Sequence, residues 1–316
     1  MLDIKKEKIN CVFSLRTLKY YVQIYSFRKD KEIKENTVYF IVDPKRNYAG
    51  LVDRLKSIVG CYYIAKCSGF EFKIISDEKF PIWNYLTPHL YDSRANFNDL
   101  SYSVQNSRII SYNGFTINKL NKKIKQYHIY NYNGKNVLET NQIPNYDLLW
   151  RNLFQELFEP QNSLLQQLDS FGYKENSYIA IHLRFVNALE TFEPKYKKSL
   201  TLTQKEILVT KCICGIEQIR NKYSSKKIIV FSDSQVFLDK VKQRLPDIIV
   251  LNGNIGHISH TNKEQVDAVI NKTFLDFFMI GKASKIFSIS ASEMYKSVFP
   301  RYAAIINNKE YEIIQV

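Results

Sequence analysis

The chain has 316 residues, 45 Lys+Arg against 31 Asp+Glu, and a formal net charge of +14. Its residues are 45% hydrophobic and 14% aromatic, which excludes a globally disordered chain and allows two domains of ordinary size. The excess positive charge is divided evenly between the two halves of the chain. It therefore favours anionic partners, such as nucleotides, acidic lipid head groups or nucleic acid, without choosing among them.

Targeting and metal-binding signals are absent from the sequence. No apolar run approaches the ~20 residues of a membrane-spanning helix, and the N-terminus lacks the apolar stretch of a secretory signal. The five cysteines are odd in number, and Cys212-x-Cys214 has no second pair of metal ligands beside it. We therefore expect reduced thiols, no metal site and a cytoplasmic protein.

The first half predicts a parallel sheet. Residues 12–28 have helical spacing and several basic residues; we expect this helix to pack on the domain, and a helix lying on an anionic membrane is the alternative. A strand, a helix and a strand are then predicted over 37–42, 50–66 and 70–75. This is a βαβ unit. An irregular segment over 92–146 and a helical stretch over 147–170, interrupted at Pro160, are predicted to follow.

The second half alternates strands and helices with greater regularity. Strands are predicted over 178–183, 227–231, 247–251, 285–290 and 303–306. Helices are predicted between them over 203–223, 235–245, 263–281 and 292–299. Because this alternation is that of a complete doubly wound domain, we expect two Rossmann-like α/β domains, residues 1–165 and 166–316, facing a central cleft.

Polar residues end three of these strands, where ligands of open parallel sheets bind. They are His182 and Arg184, then Ser232, Asp233 and Ser234, then Ser288, Ser290 and Ser292. The Arg184 guanidinium suits a diphosphate and would neutralise charge on a leaving nucleotide. Ser290, Ser292 and the N–H groups of the predicted helix after them suit phosphate oxygens. Asp233 suits the hydrogen-bond donors of a base or ribose.

Each of these residues also has a structural interpretation. The serines and Asp233 suit helix caps, Arg184 an ion pair between domains, and His182 a core imidazole bonded to the backbone. Spacing alone therefore indicates only an anion-binding α/β protein.

Residues 178–190, YIAIHLRFVNALE, resemble the His-x-Arg motif of the fucosyltransferase superfamily. Residues 50–55, GLVDRL, resemble the turn and helix that open the first domain of these enzymes, and 228–246 with 272–299 are similar to their C-terminal pattern. The likeness covers most of the chain and is weak over 80–146. It implies a GT-B fold, GDP-fucose as donor, a glycan hydroxyl such as that of a surface polysaccharide as acceptor, and inversion without metal or other cofactor.

The same resemblance implies roles by position. Arg184 would hold the β-phosphate, Ser290 and Ser292 would face the diphosphate, and Ser232 and Asn187 would belong to the donor site. His182, Asp233 and Asp276 would shape the nucleotide pocket. Gly50, Asp53 and Arg54 would lie on the acceptor side of the cleft.

The chain departs from the family pattern at two places. Phe185, Val186 and Asn187 replace the Arg-Gly-Asp that often follows the motif, and Val52 replaces a glycine. Plant relatives in the superfamily include rhamnosyltransferases, so another donor sugar stays open. The sequence leaves the catalytic base open among Glu190, Asp53 and Glu193, and an oxocarbenium-like route driven by Arg184 would need only a weak base.

Two other functions fit the sequence. One is a nucleic-acid or anion-binding protein without catalysis, although the evenly split charge and the lack of an RNA-module motif argue against it. The other is a degenerate transferase that binds a nucleotide and transfers nothing. For the transferase, we expect a cytoplasmic enzyme that rests on anionic lipid and uses a lipid-linked acceptor.

Overall fold

The computed structural model describes residues 25–26, 32–42, 50–76, 80–110, 120–130, 144–190, 200–251, 253 and 266–316. The predicted helix over 12–28, apart from residues 25 and 26, and the candidate base Glu193 lie outside these described residues. Within them, the chain forms two parallel sheets with helices packed on them, so the predicted α/β class is confirmed.

The first sheet has the strand order β2-β1-β5-β4, and all its neighbouring strands are parallel. Its strands are β1 (Thr37–Ile41), β2 (Glu71–Ile75), β4 (Ser107–Ile109) and β5 (Gln126–Ile129). Helix α1 (Leu51–Cys67) connects β1 to β2. The β-branched and aromatic residues of β1 are all buried, as expected for the inner strand of a covered sheet. The segment predicted to be irregular therefore contributes two strands of this sheet.

A helical connection leads from the first sheet to the second. It consists of α2 (Tyr146–Leu157), β6 (Phe158–Pro160) and α3 (Asn162–Ser170). The predicted interruption at Pro160 is confirmed, because β6 separates the helices and pairs with β3 (Leu86–Pro88). Proline lacks the N–H that a continuous helix would require there.

The second sheet has the order β11-β10-β7-β8-β9 and is also entirely parallel. Its strands are β7 (Tyr178–Leu183), β8 (Lys227–Ser232), β9 (Ile249–Val250), β10 (Lys285–Ser290) and β11 (Tyr311–Gln315). Its helices are α4 (Leu202–Lys222), α5 (Gln235–Arg244), α6 (Val266–Lys282) and α7 (Phe299–Ile306). The chain runs outward from β7 to β9 and then returns to the other side of β7, so the strand order reverses between β7 and β10.

Two predicted elements near the C-terminus are wrong. No helix spans 292–299, and 303–306 is the second half of α7 rather than a strand. Pro300 occupies the first turn of α7, where a missing N–H is harmless. The short apolar run after it fits a buried helix as well as a strand, so periodicity alone does not distinguish them. The last strand is β11.

Aromatic side chains join the two lobes in one apolar cluster. The Phe274 ring on α6 stacks on Tyr85, with 4.4 Å between centroids, and its centroid lies 6.3 Å from that of Phe80. The Trp150 ring on α2 meets Tyr302 on α7 at 4.8 Å. Because this core is shared, the boundary predicted between residues 165 and 166 stays a prediction.

We expect Phe274→Ala to lower the free energy of unfolding by about 3–5 kcal/mol, because it leaves a cavity between the lobes. Urea denaturation measures this. Leu202→Ala on α4 is the control, since Leu202 is 83% exposed and its loss should change stability by about 0.5 kcal/mol or less. Equal effects of the two substitutions would contradict a shared core.

Candidate active site

The reversal of strand order places the candidate site between β7 and β10. In doubly wound sheets, ligands bind beyond the carboxyl ends of the strands at such a switch point. His182 on β7 lies opposite Ser288 on β10, and Ser290 is the last residue of β10. The predicted set of strand-end residues is therefore brought together at one edge of one sheet.

Arg184 follows β7 at this edge. Its Nε lies 3.9 Å from Asp233 Oδ2, its guanidinium carbon lies 5.3 Å from the centre of the Tyr295 ring, and its side chain is 21% exposed. This ion pair with Asp233 is longer than a hydrogen bond. The guanidinium stays charged at every accessible pH and therefore suits an anionic ligand.

The turn after β7 is held by Asp233. The N–H groups of Phe185 and Val186 donate to its two carboxylate oxygens at 2.7 and 2.9 Å. Burial raises the pKa of this carboxyl, while Arg184 and the backbone donors oppose that shift. The interpretation of Asp233 as a helix cap is wrong, because Ser234 caps α5 by accepting from Phe237 N–H at 3.2 Å. Its predicted contact with a base or ribose stays a prediction.

Val186 has an unusual backbone in this turn. Its φ is +54°, in the left-handed region that glycine adopts freely and that β-branched residues rarely enter. The position is the one at which the family motif often has glycine. The two hydrogen bonds to Asp233 hold the turn in this conformation. Asn187, the next residue, is partly buried.

His182 Nδ1 and Ser290 Oγ at this edge are buried and have no hydrogen-bond partner among the described residues. The same holds for Glu190 Oε1 in the segment after β7. Buried polar groups nearly always have a partner in the protein or from water or a ligand, so these atoms could accept or donate a bond to a bound molecule or to water. The interpretation of His182 as a backbone-bonded core residue is therefore incomplete.

The His182 imidazole is uncharged in the folded protein. Burial lowers its pKa to about 3, and the positive charge of Arg184 adds to the shift. The ring stacks on Phe299 at the start of α7, with 5.7 Å between centroids. One nitrogen of a neutral imidazole donates a hydrogen bond and the other accepts one, which suits a polar ligand.

The predicted phosphate cradle at a helix N-terminus is wrong. The Ser292 hydroxyl donates to the Glu293 carboxylate at 2.8 Å, and α7 begins only at Phe299. Ser232 Oγ, at the end of β8, accepts from Ser234 N–H at 3.2 Å. Their predicted contacts with the donor stay predictions, now without a helix beside Ser292.

Helix α1 carries Asp53 in its first turn. Gly50 precedes the helix, and Asp53 in the first turn pairs with Lys56 at 2.7 Å. Lys56 Nζ lies 5.8 Å from the ring of Tyr302, which is one turn along α7 from Phe299. Phe299 and Tyr302 are three residues apart and share one face of α7, so Lys56 and His182 both pack against this face.

Arg54 and Asp276 occupy more enclosed positions. Arg54 is 2% exposed, with its guanidinium carbon 4.4 Å from the Phe80 ring, so its burial favours a packing role over the predicted acceptor-side role. The Asp276 carboxylate accepts from Lys272 at 2.5 Å, and burial raises the pKa of this carboxyl while Lys272 opposes that shift. A side chain at Gly253, just beyond β9, would meet Lys272. The pair therefore lies near the carboxyl edge of the sheet.

Comparison with known proteins rests on structure alone. No family model matches the sequence, and no curated protein matches it. The solved structure of fucosyltransferase NodZ from Bradyrhizobium matches with a TM-score of 0.55 and 14% identity, covering 85% of this chain and 91% of that one. Arabidopsis thaliana FUT1, in a mutant form in complex with GDP, matches with a TM-score of 0.56 and 11% identity, covering 94% of this chain and 74% of that one. POFUT1 in its apo form matches with a TM-score of 0.53 and 9% identity, covering 90% of this chain and 99% of that one.

The chain has the fold of the fucosyltransferases. The predicted GT-B-like architecture and the resemblance to this superfamily are confirmed at the level of fold. Other NodZ structures, similar to this chain at TM-scores of 0.54 and 0.53, were soaked with GDP-fucose or co-crystallised with GDP.

Among the described residues, no group of three or more His, Cys, Asp and Glu side chains could hold a metal ion. None of the helices in the described ranges is both long enough and apolar enough to cross a bilayer.

We expect Val186→Gly to be more stable than Val186→Ala by about 1 kcal/mol, because glycine adopts a positive φ without the steric penalty of a Cβ atom. Urea denaturation of both variants measures the difference. Val241 in α5 is the matched control, since in a helix alanine should be more stable than glycine by about 1 kcal/mol. The same order at both positions would contradict the strained turn.

The pKa of His182 predicts a pH effect on stability. The folded pKa of about 3 lies below the ordinary histidine value of 6.5, so the unfolded chain binds the proton and stability falls as the pH falls below 6.5. We expect His182→Asn to reduce the slope of unfolding free energy between pH 6 and 5 by up to about 1.4 kcal/mol per pH unit.

His128, which lies buried in the first lobe and has a pKa that burial also lowers to about 3, provides the matched variant. His128→Asn should reduce the slope by a similar amount. A slope that His182→Asn leaves unchanged would show that the imidazole is not buried in its neutral form.

Proposed function

We propose that this protein is an inverting glycosyltransferase that moves a 6-deoxyhexose, most simply fucose from GDP-fucose, to a hydroxyl group of a glycan. One observation carries the proposal. Arg184, whose side chain is partly exposed, follows β7 at the same sheet edge as His182 Nδ1 and Ser290 Oγ, and these last two atoms have no partner among the described residues. The similarity in fold to structures that were soaked with GDP-fucose or co-crystallised with GDP supports a nucleotide sugar as the ligand.

The chemistry follows from where charge develops. In the proposed transfer, the bond between the anomeric carbon and the β-phosphate oxygen breaks, and its electron pair remains on the GDP leaving group. Arg184 donates to the phosphate and stabilises that negative charge. The acceptor oxygen attacks the opposite face of the sugar, which inverts the anomeric carbon. The proposal needs no metal, because the guanidinium supplies the positive charge.

The proton of the acceptor hydroxyl needs a destination. Glu190 and Asp53 are the candidate bases among the described residues. Glu190 Oε1 is buried and has no hydrogen-bond partner among them, whereas Asp53 forms an ion pair with Lys56 at 2.7 Å. The Lys56 ammonium group already contacts the Asp53 carboxylate and would compete with an acceptor hydroxyl for it. Glu190 is therefore the stronger candidate in this proposal.

The nucleotide would lie along the carboxyl edge of the second sheet. The neutral imidazole of His182 and the Ser290 hydroxyl offer hydrogen bonds without added charge, and the Lys272–Asp276 pair lies near the end of β9. Asn187 and Ser232 complete the proposed donor site. The acceptor side is proposed at Gly50 and Asp53, with a lipid-linked glycan as acceptor at an anionic membrane surface in the cytoplasm.

One observation favours a second function, nucleotide binding without transfer. Phe185 is buried where the family motif often has a second arginine, and Asn187 is uncharged where an aspartate is common. A degenerate enzyme would keep Arg184 for the diphosphate while losing side chains that assist transfer.

We expect GDP to raise the melting temperature of the wild-type protein, because a ligand that binds only the folded state stabilises it. UDP and short RNA should have smaller effects. Arg184→Ala should remove most of the shift caused by GDP. Arg220→Ala is the matched control, since Arg220 forms a surface ion pair with Asp247 at 3.0 Å. A response to RNA that falls steeply with salt, with none to GDP, would favour nucleic-acid binding instead.

Incubation with GDP-fucose and a panel of glycan acceptors separates transfer from binding. Release of GDP together with a fucosylated product supports the transferase. Binding of GDP without hydrolysis or transfer across the panel would support the degenerate enzyme.

A further inference from the structure

We infer that Tyr295 is a positioning residue, which holds the Arg184 guanidinium in the orientation that a diphosphate requires. This inference rests on the proposed function, and it concerns a side chain outside the sequence motif. Tyr295 lies in the segment between β10 and α7, where the sequence predicts a helix and the structure has none.

Two contacts connect Tyr295 to Arg184 across the switch point. The backbone N–H of Tyr295 donates to the Arg184 carbonyl oxygen at 3.1 Å. The Arg184 guanidinium carbon lies 5.3 Å from the centre of the Tyr295 ring, within the range of a cation–π contact. The segment after β10 is therefore bonded both to the backbone and to the side chain of the residue that follows β7.

The position of Tyr295 is fixed by the residue before it. Met294 is buried in the core of the second lobe, its N–H donates to the Ala291 carbonyl at 3.1 Å, and its sulfur accepts from the Cys212 thiol at 3.7 Å. Tyr295 itself is 47% exposed. Core packing therefore anchors the segment without burying the ring, and the exposed position of the ring is explained by its contact with Arg184.

An aromatic ring orients a cation without cancelling its charge. Arginine has a long side chain with many rotamers, and ordering it before a ligand arrives reduces the entropy lost on binding. A carboxylate close to the guanidinium would also order it, but would compete with the incoming phosphate. Here the carboxylate of Asp233 is bonded to two backbone N–H groups and lies 3.9 Å from Arg184 Nε. The Tyr295 ring therefore adds order to the Arg184 side chain without adding a negative charge that would compete with a phosphate.

Calorimetric titration with GDP tests this role in the full chain. We expect Tyr295→Phe to bind GDP as the wild type does, because the ring remains. Tyr295→Leu should weaken GDP binding by about fivefold, the size expected for loss of one exposed cation–π contact. Val298→Ala, at another exposed residue of the same segment, is the control and should leave the affinity unchanged.

A double substitution distinguishes positioning from direct contact. If Tyr295 acts through Arg184, then Tyr295→Leu should have no further effect in an Arg184→Gln background. A fivefold loss that persists in that background would mean that Tyr295 touches the nucleotide itself, which would overturn the inference.

A measurement without nucleotide separates this inference from the proposed function. NMR relaxation of the Arg184 Nε–H group should show an ordered side chain in the wild type and in Tyr295→Phe, and a mobile one in Tyr295→Leu. Unchanged order in Tyr295→Leu would overturn the inference. If the order is lost as expected but the wild type does not bind GDP, the proposed function fails and the positioning contact stands.

Discussion

The hydrogen bonds from two backbone N–H groups to Asp233 determine the shape of the candidate site. They connect the end of β8 to the turn after β7, and they hold Val186 at a φ of +54°. That turn sets the direction of the chain on leaving Arg184. Both carboxylate oxygens already accept backbone hydrogen bonds, and Arg184 Nε lies 3.9 Å from Asp233 Oδ2. This buried acid therefore acts chiefly on the backbone of the turn, and its contact with Arg184 is longer than a hydrogen bond.

The parts of the fold that the sequence predicts are those with a strong periodic signal. The strands β7, β8 and β10 are continuous apolar runs that end in polar residues, as fully buried parallel strands do. Their order along the chain also predicts which strand ends share an edge. His182, Arg184 and Ser290 therefore fall at one place in the structure, as the sequence indicates.

The remaining features depend on contacts between distant residues. Val186 itself gives no sign of a positive φ, because β-branched residues rarely adopt one. The glycine that the family motif often has at this position was the one usable signal. Tyr295 follows a segment without regular structure, and its role appears only when the Arg184 side chain is placed over its ring. The Lys272–Asp276 ion pair is predictable from the sequence, because the two residues are four apart on one helix and have opposite charges.

The aromatic contacts between the lobes restrict how far the lobes can move relative to each other. A hinge motion that separated the lobes would pull Phe274 away from Tyr85 and Trp150 away from Tyr302, and would expose these large rings to water. Such a motion would therefore have a high free-energy cost. The relative position of the two lobes is therefore set by folding, and a ligand that bound at the switch point would meet a site that is already assembled.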